Sequence, residues 1–127
     1  MRRTYRWAIA LVVAAHASAF AAADPEKGWE ARYQKSVASP KGKDYQGQAS
    51  LAIWGDMSIM KECAPPNAPN PPPVKVYAEI LRDGRVGKIE AFPNSKAGAC
   101  IANRVRATRF PKPPAAPLVV KLDLKFI

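Results

Sequence analysis

Histidine is nearly absent from this chain of 127 residues, which contains one, His16, close to the amino terminus. That residue lies in a leader segment that we expect to be removed, so the mature protein would hold none. Ser-His and Cys-His nucleophilic pairs, histidine general bases and histidine metal sites are then excluded. We predict a protein that is not an enzyme and that binds neither a cofactor nor a metal.

The carboxylates do not take over the role of the missing histidine. General acid–base chemistry by two carboxylates needs a pair held close together, and no spacing in this sequence brings such a pair together. A hairpin turn and an outward sheet face, described below, account for three of them. The full set of candidates is Asp56, Glu62, Glu79, Asp83, Glu90 and Asp123.

Cysteine is scarce as well, with only Cys63 and Cys100 in the chain. Two isolated cysteines in an exported protein favour a disulfide between them. The alternatives are a zinc site, which needs further ligands of this type, and free thiols, which an oxidising compartment disfavours. In the chain-entropy model a bridge over a loop of this length stabilises a fold by roughly 3–4 kcal/mol.

Acidic residues are outnumbered two to one, 10 Asp and Glu against 20 Lys and Arg, so the formal net charge is +10. A basic exterior favours anionic lipid or a cell-wall polymer, and no nucleic-acid partner is expected for an exported protein. The candidate basic surface comprises Arg104, Arg106, Arg109 and Lys112. The alternative is a solvated exterior without a binding role, because the basic residues are spread along the chain.

Long apolar runs are missing except within residues 1–23. Basic residues there precede an Ala/Val/Leu stretch from Trp7 to Phe20, and small residues at 21–23 offer a cleavage site. We predict a cleavable signal peptide and a periplasmic protein without a transmembrane anchor. The rival interpretation, an uncleaved anchor, is disfavoured because the stretch is short and rich in alanine.

The rest of the chain is long enough for one small domain. Residues 24–49 form a polar segment in which aromatic residues at helical spacing indicate a short helix at 27–38. The domain itself covers residues 50–127. Its first helix is predicted to begin with Ser50 as N-cap and to end at Cys63.

A proline-rich connector at 64–73 leads into a predicted β-hairpin. Two strand-length runs, 74–82 and 85–92, flank Asp83-Gly84. Asp-Gly between alternating segments is a strong hairpin signal, because a type I′ turn needs positive φ at both central residues.

A two-residue turn implies a definite register for this hairpin. It sets Leu81 opposite Val86, and Glu79 opposite Lys88 as a cross-strand charge pair. One face then collects the apolar residues Val74, Val76, Ala78, Ile80, Ile89 and Ala91. The other face holds Lys75, Tyr77, Glu79, Lys88 and Glu90.

The second half of the domain continues with a helix and a strand. Ser95 is the predicted N-cap of a helix at 96–108, and residues 118–127 alternate as a strand. This strand cannot lie beside the second strand without running parallel to it, so we place it beside the first. The prediction is an α+β fold, a small α-β-β-α-β domain with a three-stranded antiparallel sheet of order 2-1-3, helices packed on it and one disulfide.

The last strand therefore lies at an edge of the sheet, where backbone donors and acceptors are left unpaired. Such an edge can pair with an extended segment of a partner protein. The predicted partner-binding edge comprises Leu118, Val119, Val120, Lys121, Leu122, Asp123, Leu124 and Lys125. The same groups can also close a homodimer.

Several of these residues, taken in order, resemble the C-terminal domain of TonB energy transducers. The matching positions are Val76, Ala78, Ile80, Asp83-Gly84-Arg85-Val86, Ile89, Ser95, Cys100-Ile101, Val105 to Pro111, Pro113, Val119, Asp123-Leu124 and Phe126. The similarity is greatest to a periplasmic variant with a cysteine pair, and it covers residues 50–127. It implies the fold and a strand-based mode of binding. Energy transduction is not implied, because TonB proteins keep a membrane anchor and a long proline-rich spacer.

Two functions follow as hypotheses. The first is an exported, non-catalytic binding or adaptor domain that captures a protein or peptide strand, for example of a cell-envelope protein, by edge-strand pairing. The second is a basic periplasmic protein that binds anionic lipid or cell-wall polymer. A free cluster of the four basic residues named above would favour the second.

Overall fold

A computed structural model describes residues 24–64, 67 and 71–126. The predicted signal peptide and part of the proline-rich connector lie outside these residues. Within them, the elements in chain order are α1 (Pro25–Ser36), α2 (Pro40–Trp54), α3 (Met57–Cys63), β1 (Val74–Ile80), β2 (Val86–Phe92), α4 (Lys96–Arg106) and β3 (Leu118–Leu124).

The three strands form one antiparallel sheet in the order β2-β1-β3. The predicted α+β fold class and strand order are therefore confirmed. β1 and β3 pair without interruption, from Val74 opposite Leu124 to Ile80 opposite Leu118. The crossover through α4 leaves β3 at one edge of the sheet and β2 at the other.

One face of the sheet forms the hydrophobic core with α2, α3 and α4. Alternation along the strands directs every second side chain to this face. The core includes Val76, Ala78, Val120 and Leu122 from the sheet, Tyr45, Ala49 and Ile53 from α2, Ile59 from α3, and Ile101 and Val105 from α4. Full burial of an aliphatic side chain of this kind stabilises a fold by about 1.5–3 kcal/mol.

The segment predicted as polar and separate contributes two helices. α1 matches the expected helix at 27–38, but α2 begins at Pro40, so the predicted start at Ser50 is wrong. Ser39 is the N-cap instead, because its Oγ accepts from the N–H of Gly42 at 3.1 Å and proline occupies the first helical position. Ser50 lies inside α2, and its hydroxyl accepts from the Gln46 side chain.

The hairpin turn has Gly84 at φ 86°, as predicted, but it is not the predicted type I′ turn. The N–H of Leu81 donates to the C=O of Arg85 at 2.8 Å, and the N–H of Gly84 donates to the C=O of Leu81 at 2.9 Å. Only Gly84 has positive φ in this turn, which is the pattern of a three-residue loop closed by a left-handed glycine.

This longer loop includes Arg82, which was predicted to belong to the first strand, and it shifts the register next to the turn. Val86 lies opposite Ile80 rather than Leu81, so that predicted pair is wrong. The irregularity also separates Glu79 from Lys88, and the predicted charge pair does not form. This bulge, between Ala78 and Ile80, is separate from the glycine loop and restores the predicted register, since Ala78 lies opposite Ile89 as expected.

The disulfide between Cys63 and Cys100 is present, with 5.5 Å between the two Cα atoms. It joins the last residue of α3 to the middle of α4, as predicted. Both cysteines belong to the packed core or contact it directly. The bridge therefore ties the helices that cover the core face of the sheet.

Candidate functional site: the two edges of the sheet

The edge formed by β3 is already occupied by side chains from the helices. The N–H of Val119 donates to Oγ of Ser36 at 3.0 Å. The N–H of Lys121 donates to Oε1 of Gln46 at 3.0 Å, and Nε2 of Gln46 donates to the C=O of Lys121 at 2.6 Å. The predicted unpaired groups at these two positions are therefore paired within the chain.

Gln46 reproduces at Lys121 what a neighbouring strand would supply. Its carboxamide has one acceptor and one donor group, the same pair that a backbone peptide presents. A partner strand that pairs with β3 must first displace this side chain and the α2 turn that carries it. The predicted partner-binding strand is thus placed at an edge, but an edge that the chain itself covers.

Backbone groups point to alternate sides along each strand. The known directions on β3 therefore indicate which backbone groups point out of the sheet on β2. Val119 and Lys121 direct their N–H groups away from the sheet. Val120, between them, pairs with Ala78 of β1. The neighbouring Tyr77 then directs its backbone groups to the opposite side, toward β2.

On β2, Glu90 lies opposite Tyr77 and pairs with it. Its neighbours Ile89 and Ala91 therefore direct their N–H and C=O groups out of the sheet. Among the described residues, none hydrogen-bonds to these outward groups. The outward groups of Ile89 and Ala91 on β2 are thus open, whereas the N–H groups of Val119 and Lys121 on β3 are occupied.

α1 covers the second face of the sheet, which the sequence indicated as an outward face. Tyr77 is only 1% exposed there, and its ring stacks on Trp29 with 6.1 Å between centroids. None of the α1 residues is itself buried, so the helix is attached by its polar and aromatic side chains. The fold therefore has three layers around β1 and β3.

Glu30 of α1 is the centre of this attachment. Oη of Tyr77 donates to Oε2 of Glu30 at 2.6 Å, and Nζ of Lys121 lies 3.0 Å from the same oxygen. Nε2 of Gln34 donates to Oε1 of Glu30 at 2.9 Å. Each of these contacts favours the ionised carboxylate over the neutral acid.

The pKa values of the three groups shift accordingly. The hydrogen bond from Tyr77, followed by that from Gln34, lowers the pKa of Glu30 to about 2. Burial, followed by the Glu30 contact, raises the pKa of Tyr77. Burial alone would lower the pKa of Lys121, but the hydrogen bond and charge of Glu30 outweigh it and raise that pKa.

Two further contacts fix α1 across the sheet. Arg32 forms an ion pair with Glu79 at 2.6 Å, so Glu79 has a charge partner other than the predicted Lys88. Nε1 of Trp29 donates to Glu90 on β2 at 2.7 Å. α1 thus contacts all three strands and fixes the side chains on this face of the sheet.

The four predicted basic-surface residues are not one free set. Arg104 lies 3.3 Å from Asp56 and 3.0 Å from Glu62, so its charge is used to hold α4 against α3. Arg106 is exposed in the last turn of α4. Arg109 and Lys112 are exposed in the segment that follows.

That segment lies against the hairpin turn and meets two more basic residues. The N–H of Phe110 donates to the C=O of Gly84 at 3.1 Å. The pKa of Asp83 is lowered, first by the hydrogen bond from the backbone N–H of Arg85 and then by the positive charges of Arg85 and Arg109. A cleft of about 480 Å³ beside the turn is lined by Leu81, Arg82, Asp83 and Lys112.

We call Arg82, Arg85, Arg109 and Lys112 the turn cluster. Asp83 offsets one of its four positive charges through a 3.2 Å ion pair with Arg85. Sequence reasoning found only two of these residues, because the packing of the segment after α4 onto the turn has no local sequence signal.

Two further observations concern metal ligands and apolar helices. Among the described residues, no three His, Cys, Asp or Glu side chains lie close enough to hold a metal ion. In the same part of the chain, no helix has the length and apolar character needed to cross a membrane.

The residues missed by sequence reasoning are mainly Ser36 and Gln46. Ser39-Pro40 is a recognisable helix start, an N-cap residue followed by proline, and it would have placed Gln46 on a helix. Nothing in the sequence indicates that this helix reaches the last strand. Comparison of the chain with protein-family models, with curated proteins and with solved structures found no match.

Proposed function

We propose that this protein is an exported, non-catalytic binding or adaptor domain that captures an extended segment of a partner protein by edge-strand pairing. Periplasmic location rests on the predicted signal peptide and is compatible with the disulfide. The resemblance to TonB C-terminal domains agrees with a strand-based mode of binding. The observation that carries the proposal is the contrast between the two edges.

The same contrast favours β2 as the binding edge. Val119 and Lys121 on β3 have internal partners, whereas the outward groups of Ile89 and Ala91 on β2 have none among the described residues. An added strand at β2 gains backbone hydrogen bonds without breaking any. Net gains of about 0.5–1.5 kcal/mol for each bond make an available edge the favoured one.

The test compares proline substitutions at the two edges. The partner is first captured from periplasmic extract with the mature protein and identified by mass spectrometry. Ile89→Pro removes an outward N–H on β2, and Asp123→Pro is the matched change on β3, where the position also faces outward. We expect Ile89→Pro to weaken partner binding about tenfold or more, and Asp123→Pro to leave it unchanged.

The opposite ranking of the two variants would move the binding site to β3 and show that α1 and α2 are displaced by the partner. Equal binding by both folded variants and the parent would refute edge-strand pairing. Because Ile89 contacts the core, its variant is compared with the parent by circular dichroism and thermal unfolding before binding is measured.

A second function, binding to anionic lipid or cell-wall polymer, is favoured by one observation, the turn cluster. Four basic side chains at one end of the hairpin concentrate positive potential, which attracts polyanions. Sedimentation with vesicles containing anionic lipid, and with purified cell-wall polymer, tests it. Arg109→Gln with Lys112→Gln should abolish binding there, whereas Lys61→Gln with Arg106→Gln should preserve it.

A further inference from the structure

A cleft lies where α1 ends, α2 begins and the chain enters β3, beside the Val119 end of the β3 edge. Its volume is about 490 Å³, and its wall is formed by residues of α1 and α2 and by the segment from 114 to 119. Sites for small molecules are commonly clefts of about 300–1,000 Å³. The cleft is therefore large enough for a small molecule.

The charged side chains that line the cleft are all basic. They are Arg32, Lys35 and Lys41, and no Asp or Glu lies among the lining residues that the structure describes. Arg32 is partly neutralised by its ion pair with Glu79. Lys35 and Lys41 form no ion pair with any described residue, so the concave surface keeps a positive potential.

Two hydroxyl groups in the cleft can each still donate a hydrogen bond. Oγ of Ser36 accepts from the N–H of Val119, and Oγ of Ser39 accepts from the N–H of Gly42. Neither hydroxyl donates to another described residue. A hydroxyl that already accepts still has one O–H to donate, and an anionic oxygen is a strong acceptor for it.

The other part of the wall is apolar, because Pro114, Pro117 and Leu118 line it. We propose that the cleft binds a small amphipathic anion. Its charged oxygens would meet Lys35, Lys41 and the two serine hydroxyls, and its short apolar part would lie against the prolines. A carboxylate and a phosphate monoester share this chemistry.

The experiment uses the mature protein and the fluorescent probe anilinonaphthalene sulfonate, which joins an anionic group to an apolar ring. Amide chemical shifts of the ¹⁵N-labelled protein locate the probe. The test variant is Lys35→Gln with Lys41→Gln, and the matched control is Lys27→Gln with Lys43→Gln, exposed lysines on the same two helices outside the cleft. Hexanoate, hexyl phosphate and hexanol then compete with the bound probe.

We expect one bound probe, with shift changes at Ser36, Ser39 and Val119. Affinity should fall roughly fivefold to tenfold in the test variant and stay unchanged in the control, as the loss of two partly exposed ion pairs implies. Displacement by hexanoate or by hexyl phosphate supports the proposal, and the stronger competitor identifies the head group. Equal loss in both variants, shift changes elsewhere, or displacement by hexanol as strong as by the two anions would overturn it.

Discussion

At the scale of single residues, Glu30 and Gly84 each hold together two parts of the chain that are distant in sequence. Glu30 connects α1 to Tyr77 and Lys121 on the outer face of the sheet. Gly84 connects the hairpin turn to the chain before β3, where its C=O accepts from Phe110. Substitution of either residue should therefore change the free energy of unfolding.

The attachment through Glu30 should depend on pH. Its pKa is about 2 in the folded protein against 4.5 for the ordinary group, so the contact stabilises the fold fully above pH 4.5. That stability is lost as the pH falls from about 4.5 to about 2. Because the side chain is one-third exposed, we expect about 1 kcal/mol or less. Thermal unfolding should show a weaker pH dependence in this range for Glu30→Gln than for the parent.

Asp123→Asn is the control for this measurement, since it removes an exposed carboxylate from β3. It should keep the acid sensitivity of the parent. If Glu30→Gln loses stability between pH 4.5 and 2 as steeply as the parent does, Glu30 does not hold α1.

Gly84→Val should destabilise the protein by about 2–4 kcal/mol. A β-branched residue is strained at φ 86°, and a Cβ at this position overlaps the carbonyl oxygen of Phe110. Gly47→Ala is the control, because a Cβ there meets nothing within 4 Å and lies inside α2. It should stabilise by about 0.5–1 kcal/mol. Urea unfolding measures both, and an unchanged midpoint for Gly84→Val would contradict the turn described here.

At the scale of elements, the three strands and α4 are those that the sequence pattern predicts. The single helix predicted from Ser50 to Cys63 is instead divided into the end of α2 and a separate α3. Alternation identifies β1, β2 and β3, and Ser95 caps α4 as expected. One local feature, the length of the hairpin loop, was not predictable with the same rules. Asp-Gly suits both a two-residue and a three-residue hairpin loop, and the choice here depends on the contact between Gly84 and Phe110. That contact is distant in sequence.

The role of α1 was not predictable for a different reason. Its apolar residues are few and none is buried, so periodicity does not show which face contacts the sheet. The contacts of Glu30, Arg32 and Trp29 join residues that are 47 to 91 positions apart in the sequence, and local sequence patterns do not reveal such pairs. The occupied edge of β3 was missed because no sequence pattern shows that Ser36 of α1 and Gln46 of α2 contact the last strand.

Gln46→Leu should open the β3 edge. The substitution keeps the size of the side chain but leaves the N–H and C=O of Lys121 without their partners, at an expected cost of about 1–3 kcal/mol. Gln48→Leu, an exposed change on the same helix, is the control and should have little effect. Amide hydrogen exchange at Lys121 should become faster in the first variant only. Unchanged exchange in both variants would mean that Gln46 does not protect this edge.

At the scale of the whole molecule, the disulfide and the three-layer packing determine the stability of a small domain. Cys63 and Cys100 close a loop with a sequence separation of 37. Reduction, or Cys63→Ser with Cys100→Ser, should lower the free energy of unfolding by about 3–4 kcal/mol. Urea unfolding with and without reductant measures this difference. Two free thiols in unfolded, unreduced protein would contradict the bridge itself.

The central claim for the whole molecule is that one edge of the sheet is covered by the chain and the other is open to a partner. Hydrogen exchange of the protein with its captured partner bound tests this claim most directly, because it reports on each amide at both edges. We predict that the N–H groups of Ile89 and Ala91 become protected on binding, while Val119 and Lys121 stay as protected as they are in the free protein. New protection at Asp123 on the β3 edge, with Ile89 and Ala91 unchanged, would contradict the account.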